Sequence, residues 1–241
     1  MATNILILAA GQAVFDTHDN GYPLCLTETD GTSLIEKIIS NTRKIADANY
    51  AFAISKNDSE KYHLDKAVSL LVEQSQVVKV PDGTKGSACT ALLVASQLEL
   101  NDEILVISAN ELVNVDFSQV IDDFKASKLD AGTLTFNSIH PRYSYVKIDE
   151  ADLIIEAAQK MPISKNATAG VFWFKSTGEF VEGVKNMIRK DASVDGNFYI
   201  APVFNELILK QKRVGHSVLD VENYKPIKNE RQMYNFEIGI G

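Results

Sequence analysis

Apolar residues in the first half of this chain come in short unbroken runs, separated by stretches where they recur every three or four positions. The runs are Asn4 to Leu8, Tyr50 to Ser55, Gln76 to Val80 and Ile104 to Ser108. A strand that is apolar on both faces must be covered on both, so these runs predict a mostly parallel sheet packed between helices. In the stretches between, Leu34, Ile35, Ile38 and Ile39 mark one face of a helix running from Leu34 through Ile45, with Thr32 or Ser33 as its cap. Ser59 to Leu71, Ala88 to Leu98 and Phe117 to Lys125 read as further helices. Strand and helix alternating in this way predict an α/β fold with a doubly wound, mostly parallel central sheet and helices on both faces.

The second half is less regular. Ala131 to Asn137, Tyr143 to Asp149, Leu153 to Ala158, Ala169 to Lys175 and Val214 to Val221 read as strands. Helices are expected over Gly178 to Arg189 and within Phe198 to Gln211. No repeat, low-complexity stretch or linker divides the chain. The reading is therefore one domain over residues 1–241, with a mixed α/β second half (131–241) closing over the ligand edge of the first (1–130).

Composition narrows the class. With 45% hydrophobic and 23% charged residues, the 241-residue chain is ordinary for a globular protein with a full core. A net charge of −8 argues against a nucleic-acid surface, although a nucleotide pocket needs only backbone N–H groups and a cation or two. Cys25 and Cys89 have no metal-ligand spacing and read as reduced thiols. His18, His63, His140 and His216 are scattered. No run is long enough to span a bilayer and no signal peptide is evident, so a cytoplasmic location without membrane insertion is expected.

Chemistry gathers where strands end. Leu8, Ala9, Ala10 and Gly11 close the first strand with small residues, so backbone N–H groups can approach a phosphate. A tight turn explains the same residues, and Gln12-Ala13-Val14 after Gly11 rules out the dinucleotide fingerprint. Pro81 to Ser87 is a turn-rich loop with Lys85 and Gly86, but it does not match the P-loop pattern. Ser87 has no cue to a base, so nucleophilic catalysis has no support.

Taken together, four segments resemble the sugar-phosphate nucleotidyltransferases, a family with a glycosyltransferase-A-like, nucleotide-diphospho-sugar transferase fold. They are Leu8-Ala9-Ala10-Gly11 with Tyr22-Pro23; Gly83 to Ala88 leading into an Ala/Leu helix; Ile104 to Asn110 with Asp116; and a long series in the second half. That series runs through Tyr143 to Lys147, Lys160 to Ser164, Ala167 to Val171 and Gly196 to Asn205. The resemblance implies transfer of a nucleotidyl group from a nucleoside triphosphate to a phosphorylated small-molecule acceptor, with loss of pyrophosphate and help from Mg²⁺. Its setting would be the synthesis of surface-polysaccharide precursors.

Carried over residue by residue, the resemblance assigns Leu8, Ala9, Ala10, Gly11, Lys85, Gly86, Ser87 and Ala88 to the nucleotide. It assigns Lys160 to catalysis, Tyr145, Gly170 and Asn197 to the acceptor, and Asn110 with Asp220 to the metal. For Asn110 and Asp220 a role in capping or terminating strands stands beside the metal reading, as a solvated fate does for Lys85 and Lys160. Glu111 is a substitute acid displaced by one residue, and Tyr143, Tyr145 and Trp173 fit a pocket wall or simple core.

The charged parts depart from the family. Gln12 to Phe15 holds no arginine, Leu24 stands for a lysine and Asn110 for an aspartate. Gln159 stands for a glutamate, Asn197 falls in a Gly-Glu-Phe-like position, and Lys228-Asn229-Glu230 replaces a Gly-Thr-Pro segment. Losing even one oriented charge typically slows such a step by about two to three powers of ten. Two rival readings follow: a catalytically impaired nucleotide- or sugar-phosphate-binding protein, self-associating or partnered with an active paralogue, and a glycosyltransferase of related fold.

Overall fold

A computed structural model of the chain describes residues 1–11, 22–227 and 230–239. The polar loop expected over 12–21 and the Lys228-Asn229 step lie outside the described residues.

Strand β1 (Thr3–Ala9) is buried throughout and serves two cores at once. Ile5, Ile7 and Ala9 enter one, Leu6 and Leu8 the other. That is the pleat acting on an all-apolar run: alternate side chains face opposite layers, and both layers are covered. After a 3-10 turn at Leu24–Leu26, strands β2 (Glu28–Thr29) and β3 (Thr32–Ser33) form a hairpin. Its Asp30-Gly31 turn has φ of 54° and 69°, the pair of positive angles that Asp-Gly suits.

Helix α1 (Leu34–Thr42) starts in a capping box, where the Glu36 amide donates to Ser33 Oγ at 3.4 Å and the Ser33 amide to Glu36 Oε2 at 2.8 Å. The four expected apolar residues are its buried face. It stops short of Ile45 because its last turn tightens, with the Ile45 amide donating to the Thr42 carbonyl at 3.0 Å. Strand β4 (Ala48–Ser55) follows, and the helix expected over Ser59 to Leu71 is two: α2 (Lys56–Tyr62) and α3 (Leu64–Leu71). His63, at φ 53°, breaks them, a left-handed step that hydrophobic periodicity does not register.

Strand β5 (Gln76–Val80) is the edge, followed by α4 (Ser87–Ala95) and β6 (Glu103–Ser108). The three-residue strand β7 (Glu111–Val113) was not anticipated, and α5 (Phe117–Ala126) follows it.

The second half supplies β8 (Ala131–Asn137), β9 (Ser144–Ile148), β10 (Ile154–Gln159) and β11 (Asn166–Phe174). Helices α6 (Thr177–Arg189) and α7 (Val203–Ile208), strand β12 (Val214–Val218), strand β13 (Tyr224–Pro226) and helix α8 (Glu230–Glu237) complete the chain. Helix α7 is shorter than expected because Phe198 to Ala201 runs as loop before Pro202 caps the helix.

One sheet joins both halves, in the order β10-β9-β11-β6-β1-β4-β5, with β8 beside β11 and β12 beside β8. Strands β6, β1, β4 and β5 are mutually parallel, while β11 enters antiparallel to β6 with Val171 opposite Ile107. The fold is thus α/β with a largely parallel centre and a mixed second half. Among the described residues no helix is long and apolar enough to cross a membrane.

Candidate functional site

β1 is followed by β4 on one side, yet β6 pairs on its other side, so the winding direction reverses between β1 and β6. Such a reversal leaves a crevice beyond the strands' carboxyl ends, where α/β proteins bind ligands. A cleft of about 750 Å³ opens there.

One wall is made of backbone and small side chains: Leu8 to Gly11, then Gly83, Thr84, Gly86 and Ser87, then Ser108, Ala109 and Asn110. The Ala109 amide donates to the Leu8 carbonyl at 3.0 Å, holding the β6 bend against the end of β1. Gly86 sits at φ 92°, and a Cβ there would lie 2.8 Å from the Phe198 amide nitrogen and closer still to its carbonyl oxygen. Phe198 is tied to this loop twice: its amide donates to the Lys85 carbonyl at 2.9 Å, and the Phe198 carbonyl accepts the Ala88 amide at 3.0 Å. Only glycine satisfies both the angle and the approach.

The opposite wall comes from β9, β10, β11 and the loop before α7: Arg142, Ser144, Gln159, Lys160, Thr168, Gly170, Asn197 and Tyr199. Ser144 pairs with Gln159 across β9 and β10, and their side chains hydrogen-bond. Lys160, at φ 57°, turns out of β10 while its amide donates to the Tyr143 carbonyl at 2.9 Å. Its Nζ lies 2.9 Å from the exposed Asp195 carboxylate and 5.7 Å from the Tyr199 ring centre. The Asp195 hydrogen bond is the main reason its ammonium is held above the ordinary lysine range.

Glu111 floors the cleft. It is buried, accepts the Tyr224 hydroxyl, and packs on Gly170, where an added Cβ would come 2.6 Å from the Glu111 carboxyl carbon. Gly170, at φ 67°, is where β11 takes four residue steps (Thr168 to Phe172) against two on β8 (Thr135 to Thr133), a bulge that makes room for the acid. Burial first, then the Glu111 charge, hold the Tyr224 and Tyr143 hydroxyls above the ordinary tyrosine range. Cys25 lines the floor as an unreactive thiol, pushed up to about 12 mainly by burial.

Leu8, Ala9, Ala10, Gly11, Gly86, Ser87, Asn110, Lys160, Gly170 and Asn197 therefore share one cleft. Four expected residues do not line it. Lys85 is exposed, because Gly83, Thr84 and Gly86 turn inward around it. Ala88 is fully buried in the first turn of α4. Tyr145 is fully buried too, its hydroxyl donating to the His140 carbonyl at 2.6 Å, so it is core and not an acceptor contact. Asp220 is exposed ahead of a 3-10 turn, its carbonyl taking the Asn223 amide at 2.9 Å.

Of the expected Asn110–Asp220 metal pair, Asn110 lines the cleft and Asp220 does not. The donor set does not fit Mg²⁺: Asn110 offers a neutral amide, Glu111 is committed to Tyr224, and no acidic cluster forms among the described residues. Sequence reasoning missed Arg142. It lies in the turn ahead of β9, where hydrophobic alternation gives no signal.

No family model matches the chain, and no curated protein matches it by sequence. Solved structures do. A nucleoside-diphosphate-sugar pyrophosphorylase from Vibrio cholerae RC9 superposes with a TM-score of 0.77 at 20% identity, covering 96% of this chain and 98% of that one. A putative glucose-1-phosphate thymidylyltransferase from Bacillus anthracis, in complex with a sucrose, superposes with a TM-score of 0.73 at 16% identity, covering 98% and 94%. The chain has the sugar-phosphate nucleotidyltransferase-like fold.

Proposed function

We propose that this chain is a nucleotidyltransferase-like protein whose cleft holds a nucleotide on the small-residue wall and a phosphorylated acceptor, such as a sugar phosphate, on the opposite wall. The first half (1–130) then serves the nucleotide and the second (131–241) the acceptor. The observation that carries this reading is that Lys160 and Arg142 line one cleft with Ala10, Gly11, Gly86 and Ser87. The names of the two structural neighbours agree with it. In the proposed reaction an acceptor phosphate oxygen bonds to the α-phosphorus of a nucleoside triphosphate as the bond to the β-phosphate breaks, releasing pyrophosphate. Lys160 offsets the acceptor's charge, and backbone N–H groups hold the nucleotide phosphates. The product would be a nucleotide-activated sugar for surface-polysaccharide synthesis in the cytoplasm.

A second reading, binding without turnover, is favoured by one observation. The small-residue wall holds no charged side chain among its described lining residues. Titration with CTP, UTP, dTTP, ATP and GTP, with and without Mg²⁺, followed by a pyrophosphate-release assay with hexose 1-phosphates, separates the two. Release supports transfer, and binding without release supports the second reading. If no triphosphate binds to the folded protein, both nucleotide readings are wrong.

A further inference from the structure

Helix α8 turns part of its polar face toward the protein instead of toward open water. Met233 and Phe236 pack into the core, while Arg231 and Asn235, one turn apart, and Gln232 beside them line a cavity of about 400 Å³. The rest of the lining is the β8–β9 connection, through Ser138, His140, Arg142 and Tyr143. Of these residues Arg142 alone also lines the larger cleft.

Each described lining residue of this cavity carries a polar or cationic group and none is an acid, in a chain whose net charge is −8. Among the described residues the only arginine in an ion pair is Arg189, with Glu182 at 3.0 Å; Arg142 and Arg231 have no carboxylate partner there. His140 Nδ1 accepts the Arg142 amide at 3.3 Å and Arg142 Nε at 3.2 Å. A ring nitrogen that accepts is unprotonated, so the imidazole aims the guanidinium without neutralising it. Gln232 hydrogen-bonds the Tyr143 hydroxyl, which holds α8 to the loop. Two guanidiniums bordering one small cavity repel each other unless a negative charge joins them, and the described lining supplies none.

We propose that this cavity is an anion site separate from the cleft, built for a phosphate-type dianion that bridges Arg142 and Arg231. The guanidinium fork matches the oxygens of such an ion, and the Asn235 amide adds a neutral donor. The dianion is either a free inorganic ion or the phosphate end of a small metabolite. Because the site uses neither the small-residue wall nor Lys160, it stands whether or not the cleft transfers a nucleotide.

The test follows the side-chain amide resonances of Gln232 and Asn235 in the full, isotope-labelled chain. Inorganic phosphate and, separately, glycerol 3-phosphate are added in EDTA. Both resonances should move and saturate, and sodium chloride at equal ionic strength should leave them in place. Arg231→Ala should raise the half-saturating concentration about tenfold, and Arg231→Lys, a point charge without the fork, should raise it less. Arg231 is exposed, so neither substitution should disturb the fold. Tighter binding of glycerol 3-phosphate identifies the phosphate end of a metabolite as the ligand, and tighter binding of phosphate identifies the free ion. Resonances that stay in place, that move equally with sodium chloride, or that saturate at the same concentration in Arg231→Ala overturn the proposal.

Discussion

The two walls of the cleft are built by different means. The small-residue wall is backbone: strand ends of a parallel sheet and a glycine at φ 92°, with small side chains around them. The other wall is side chain: Arg142 and Lys160 at the end of an antiparallel pair, one of them on a left-handed turn. A backbone surface depends on what is missing at each position, whereas a side-chain surface depends on register. The first therefore tolerates little change at Gly86, and the second can change its chemistry one residue at a time.

The largest test of that contrast is Gly86→Ala, which strikes the point where the walls meet. Left-handed strain and collision with the Phe198 backbone should cost roughly 3 kcal/mol, seen as a lowered thermal midpoint. An unchanged midpoint would mean that the walls are not locked together there.

Tyr224→Phe acts beneath the other wall by taking a donor from the buried Glu111 carboxylate, at a cost of about 1–3 kcal/mol in chemical denaturation. It also has a pH signature. The Tyr224 hydroxyl is held above its ordinary value, so its contribution to stability is complete below about pH 10 and fades as pH rises toward the folded-state value. The alkaline loss should be smaller in the variant than in the wild-type chain.

Ser33→Ala, on neither wall, serves as a reference. Losing the α1 cap should cost about 1 kcal/mol and leave ligand binding intact. Hydrogen bonds from Ser33 hold the Glu36 carboxyl below its usual range. Its contribution is therefore present above about pH 4 and fades as pH falls, so the variant's acid limb should be flatter.

The smallest effect is expected of Asn110→Asp. One restored carboxylate does not replace the missing arginine and the apolar Leu24, so pyrophosphate release should stay near its starting rate. Turnover at an enzyme-like rate of about 1 per second or more would refute that.

The same division decides what could be read from sequence. The run at Asn4 to Leu8 announced a strand covered on both faces, and small residues after it announced backbone near a ligand. Tyr145, expected at the acceptor, is buried, and nothing in Ser144-Tyr145-Val146 announces that its hydroxyl will find the His140 carbonyl. Asp220 was paired with Asn110 across a chain separation that spacing cannot measure. Arg142 was passed over because its place depends on β9 aligning with β10 and on Lys160 leaving the extended region. His63 split a helix through a backbone angle that its neighbours' hydrophobicity does not encode.

Strand β1 carries one last consequence. Because alternate residues belong to opposite cores, neither layer can open while the strand stays in place, and both lose their centre if it leaves. Unfolding of this chain should therefore be cooperative across both layers, with the β1 amides among the last to exchange with solvent. The residues that give the cleft its charge lie outside that shared strand. Chemistry at the rim can be rewritten while the scaffold's cooperative unit keeps its shape.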